Sequence, residues 1–162
     1  MTTARAEVSP ADDPGLLRRI LLWLVLVTTG GLLVELLLLE HFDDPWQWVP
    51  LVILAVVLLV IPTVFRRPGR GSLRLFQALM VLCLVAGGIG VLLHLKGNYE
   101  WEMEQSPELH GLALFWEAIR GATPALAPGA MAQLGLVGLL FTYRHPALRA
   151  PSPVGVGRAD TA

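Results

Sequence analysis

Residues 16–39 read LLRRILLWLVLVTTGGLLVELLLL. After Arg19 the run continues to Leu39 with one charge, Glu35, and a hydrocarbon core about 30 Å thick takes about 20 helical residues per crossing. The stretch therefore predicts a helix that spans a bilayer, interrupted only by Thr28, Thr29, Gly30, Gly31 and Glu35. A secretory leader with two leading arginines fits less well, because its apolar region is only roughly 7–15 residues long and a small-residue cleavage site should follow.

The rest of the chain repeats the pattern. Of 162 residues, 54% are hydrophobic, beyond the roughly 45–50% of soluble domains. Only 15% are charged, and they fall between the apolar runs, so no continuous solvated surface can form and lipid must cover much of the chain. A second span is expected at about 49–65, with Pro50 in its first turn and Pro62 kinking or ending it. Trp46 and Trp48, beyond the acidic turn Glu40–Pro45, suit the interfacial aromatic belt. A third span is expected at about 75–95, ended by Lys96-Gly97-Asn98, and a fourth at about 126–143, rich in glycine and alanine that permit close helix approach. Between them, Ser106-Pro107-Glu108 should start a surface helix at about 107–120, with Leu109, Leu112, Trp116 and Ile119 as its apolar stripe. The fold expected is an all-α membrane protein, a four-transmembrane-helix bundle over 16–145 between disordered cytoplasmic tails at 1–15 and 146–162.

Charge sets the orientation. Arg5, Arg18, Arg19, Arg66, Arg67, Arg70, Arg74, Arg144, Arg149 and Arg158 fall on one side of these spans, and Lys96 and Arg120 on the other. By the positive-inside rule both termini are cytoplasmic, in the inner or plasma membrane of a bacterial-type cell. The turn Arg66, Arg67, Arg70 and Arg74 fixes topology and offers cations to anionic lipid headgroups.

Nine of the thirteen acids and three of the four histidines lie toward the opposite side. Depletion of Lys and Arg from translocated loops explains most of that asymmetry. Glu35 stands apart, because it lies about 7 Å inside its span, where an ionisable group ordinarily marks a site or pathway. Its depth is expected to match Gln133 and the glycines at 87–90, where together they would make either a tight hydrogen-bonded helix contact or the floor of an outward-open cavity. His41 and His94 end the first and third spans at one level, with Glu40 adjacent. The candidate ion or ligand residues are thus Glu35, Glu40, His41, His94 and Gln133. A divalent metal would take His41, His94, Glu40 and Glu102, and a single haem would take the two histidines.

No Gly-x-Ser-x-Gly or phosphate-binding glycine loop occurs, and Cys83 is the only cysteine, so the sequence points away from an enzyme and from an internal disulfide. The leading expectation is an outward-facing acidic and histidine site that binds or passes a cation or proton. The alternatives are an accessory subunit of a larger membrane complex, or homo-oligomer, packing through small residues, and a single-haem redox protein. The bilayer is the expected partner, and nucleic acid is not.

Overall fold

The computed structural model describes residues 14–121 and 124–149, and among them every regular element is helical. Five α-helices follow in order: α1 (Pro14–Leu38), α2 (Trp48–Arg66), α3 (Arg70–Gln105), α4 (Gly111–Arg120) and α5 (Gly129–Thr142). Three of them, α1, α2 and α3, are long and apolar enough to cross a membrane. The expected tails at 1–13 and 150–162 lie outside the described residues. Pro146–Leu148 is a 3-10 turn rather than the start of a structureless tail.

α1 packs on α2 and α5, and α3 packs on α2, α5 and α4. The shared core includes Val25, Leu54, Val57, Ile61, Phe76, Met80 and Leu134, all fully enclosed. Trp23 meets Phe65 at 5.1 Å, tilted by 59°, and Phe76 meets Phe141 edge-on at 5.6 Å, joining α1 to α2 and α3 to α5. Leucines and valines elsewhere on α1, α2 and α3 point outward, as they do on helices solvated by hydrocarbon. Pro62 is accommodated without ending α2, which runs on to Arg66.

The α3–α5 contact is the closest. A Cβ on Gly87 would run into the backbone of Ala132 and lie 2.8 Å from the Pro128 carbonyl oxygen; one on Gly135 would lie 2.7 Å from the Leu84 nitrogen. Gly138 meets the Met80 side chain in the same way, and Gln77 donates to the Thr142 hydroxyl at 3.1 Å. The two helices therefore run antiparallel, backbone against backbone, through glycine.

Two expected boundaries move. α3 does not stop at Lys96-Gly97-Asn98 but continues to Gln105. Gly97 costs about 1 kcal/mol in a helix interior, which the Lys96–Glu100 pair at 3.1 Å and the buried bond from Asn98 to the Ala118 carbonyl (2.9 Å) help to offset. α4 begins at Gly111, because Ser106 closes α3, its N–H donating to the Glu102 carbonyl, while its own carbonyl accepts from Leu109. The face of α4 that packs on α3 is Leu114 and Ala118, whereas Leu112 and Trp116 of the expected stripe point outward. α5 starts later than expected, after the turn at 125–128 that Pro124 and Pro128 bracket.

Candidate functional site

α1 ends in a Schellman-type turn. The His41 N–H donates to the Leu36 carbonyl at 2.9 Å and the Glu40 N–H to Leu37 at 3.1 Å, with Glu40 in the left-handed region at φ 51°. The reversal points the chain back across the end of α1 and leaves His41 half-buried. Beyond it, Asp44 caps the Pro45–Gln47 turn, Gln47 accepts from the Asp43 and Asp44 N–H groups, and the Trp48 indole donates to Phe42 at 3.0 Å. Hydrogen bonds on both sides thus hold His41.

His94 comes from α3, and its ring lies 6.5 Å from that of His41, centroid to centroid, tilted by 48°. His94 Nδ1 is 3.3 Å from the Pro124 carbonyl oxygen, where it donates as the Nδ1–H tautomer and leaves Nε2 as the ring's acceptor. That carbonyl does for His94 what outer-shell acceptors do for metal-ligating histidines. Burial, and then the nearby His94, lower the His41 pKa below its ordinary value. Both effects disfavour the charged form of the His41 ring.

Among protein-family models, curated proteins and solved structures, none matches this chain.

The other expected site residues are not gathered here. Arg18 reaches the carbonyls of Tyr143 and Arg144 at 3.5 and 3.4 Å, which pairs the start of α1 with the end of α5. Counting from that contact along the antiparallel helices, Gln133 comes level with Thr28, and Glu35 lies about 10 Å nearer the histidines. Gln133 is level with Gly87, as expected, but not with Glu35. Both side chains are exposed, on the helix faces turned away from the core, so Glu35 and Gln133 do not build a common floor. Glu40 is adjacent to the pair in sequence but exposed, and Glu102 lies two turns beyond His94 on α3. Among the described residues, no three His, Cys, Asp or Glu side chains come together as a metal ligand set. A haem would need an enclosed apolar slot, whereas both rings, one in the turn after α1 and one within α3, are only half-buried.

The opposite end holds Arg18, Arg19, Arg66, Arg67, Arg70, Arg74, Arg144 and Arg149, and all the described acids lie toward the histidine end. Sequence reasoning missed the role of His145 there. Its Nδ1 accepts from the Ala147 N–H at 3.2 Å and caps the final turn, and its ring packs 5.6 Å from Phe141. Burial, and then Arg18, lower its pKa. The Pro146 that follows His145 is the one signal that a turn starts there.

Proposed function

We propose that this chain crosses an inner or plasma membrane four times, with the arginine end and both termini cytoplasmic, and that its outward end binds a proton or a borderline divalent cation through His41 and His94. The observation that carries the site is the approach of the two rings to 6.5 Å, one from the turn after α1 and one from within α3, the latter oriented through Nδ1. Two neutral imidazoles suit Zn or Cu(II), with water completing the shell, since no carboxylate joins them among the described residues.

The fourth crossing is supported by what flanks α5. α5 alone, at fourteen residues, spans about 21 Å. The segment from Pro124 to Arg149, however, lies along α3 from His94, which bonds Pro124, to Arg70, which bonds the Arg149 carbonyl. That length of α3 measures about 36 Å, enough for a hydrocarbon core of about 30 Å. Binding at the surface is favoured over passage, because the buried polar side chains among the described residues are Thr29, Asn98 and Thr142, none of them a proton carrier.

The test is titration of the detergent-purified chain with Zn(II) and Cu(II), read by calorimetry, alongside histidine proton resonances followed against pH. Binding that disappears in both His41→Asn and His94→Asn is expected. Unchanged ion binding and unchanged titration of the remaining ring in either variant would end the proposal. The accessory-subunit alternative loses most of its motive, since Gly87, Gly90, Gly135 and Gly138 are spent on the α3–α5 contact; Gly30, Gly31 and Gly88 remain open.

A further inference from the structure

The arginines of the α2–α3 turn do not act alike. Arg70 donates to the Arg149 carbonyl, and Arg18, across the same end, donates to Tyr143 and Arg144, so both guanidinium groups are engaged in holding the chain after α5. Among the described residues Arg66 and Arg67 make no ion pair and no side-chain hydrogen bond, and both are exposed. Together with Pro62 and Thr63 they line a cleft of about 380 Å³ on the last turn and a half of α2. Pro62 gives that lining an apolar part, and the Thr63 hydroxyl is occupied in donating to the Val60 carbonyl of its own helix at 2.7 Å.

The cleft thus has two guanidinium groups at its rim and an apolar wall about one helical turn deeper, at the level where an apolar span gives way to charge. A guanidinium fork matches the oxygens of a phosphate, and two adjacent forks match a phosphodiester better than they match a compact, fully hydrated anion. The α3 N-terminus begins at Arg70, just beyond, and adds positive potential. We propose that Arg66 and Arg67 form a binding site for the phosphodiester headgroup of an anionic phospholipid, whose glycerol end and first acyl methylenes lie against Pro62 and Thr63. Arg70 is excluded from the site by its bond to Arg149 and acts as a strut.

The 162-residue chain reconstituted in phosphatidylcholine nanodiscs doped with phosphatidylglycerol tests this, with retained lipid counted by native mass spectrometry after gentle detergent release. The wild type is expected to retain phosphatidylglycerol in preference to phosphatidylcholine, and millimolar inorganic phosphate should not displace it. The double variant R66Q/R67Q should bind it about twentyfold or more weakly, at roughly fivefold per cation lost near an anionic surface. R66K/R67K, which keeps the charge without the forks, should lie between. R70Q should retain the lipid while losing protection of the residues around Arg149. Circular dichroism confirms that each variant is folded. Retention by R66Q/R67Q equal to the wild type, equal retention of the two lipids, or displacement by inorganic phosphate would overturn the assignment.

Discussion

His41, in the turn that reverses the chain after α1, and His94, on α3, lie with ring centroids 6.5 Å apart. The backbones of α1 and α3 do not pack directly on one another, since α1 packs on α2 and α5. The ring contact joins the end of α1 to α3 across the core, and protonation of His41 acts on it directly.

Acid should therefore loosen this end of the molecule. The folded chain takes up a proton at His41 less readily than the unfolded chain, because burial and His94 lower its pKa. Stability is then complete above about pH 6.5 and falls as pH drops through and below that value, where the unfolded state binds more protons. His145, lowered by burial and Arg18, contributes the same sign at the other end. Thermal unfolding in detergent across this range should show the decline, and His41→Asn combined with His145→Asn should flatten it.

The glycines of α3 and α5 should separate into two classes. Gly87→Ala and Gly135→Ala push a methyl group into the facing backbone, and each should cost about 1–3 kcal/mol or more, the scale of overpacking. Gly88→Ala, one residue along, meets nothing within 4 Å and should be neutral or raise stability by about 0.5–1 kcal/mol. Denaturation in mixed micelles would resolve the contrast, and equal losses at Gly87 and Gly88 would mean α3 faces α5 differently.

Glu40 holds a left-handed backbone at φ 51° that costs a side-chain-bearing residue roughly 1–2 kcal/mol. Glu40→Gly should leave stability unchanged or raise it by up to about 1 kcal/mol, whereas Glu40→Val should lower it. Since the carboxylate is exposed and outside the histidine pair, Glu40→Gly should also leave ion binding intact.

Asn98 is almost fully buried and bonds the Ala118 carbonyl at 2.9 Å, tying α4 to the extension of α3. Asn98→Ala should leave that carbonyl without this donor at a cost of about 1–3 kcal/mol. Hydrogen exchange should quicken through α4 and the turn at 106–110, with little change in α1 and α2.

Much of this architecture was legible in the amino-acid sequence, and its failures have physical causes. The apolar runs from Leu16 and from Val49 announce their helices by length alone, and Arg66–Arg74 marks the turn between α2 and α3. The meeting of His41 and His94 was legible too, because each ends an apolar run at one level. The continuation of α3 through Gly97 and Asn98 was not, since local propensity opposes it and a hydrogen bond from a distant helix favours it. That Glu35 and Gln133 do not come together was not legible, because rise along a helix gives only depth. Which way a side chain faces depends on helix phase and on the register that Arg18 and Tyr143 set between α1 and α5.

The number of crossings is tested most directly by impermeant maleimide labelling of intact cells, using single cysteines on a Cys83→Ala background. Asp43→Cys and Glu104→Cys should react from outside, while Gly69→Cys and Arg149→Cys should react only after permeabilisation. Labelling of Arg149→Cys in intact cells would leave α5 without a crossing, and labelling of Gly69→Cys there would contradict the orientation itself.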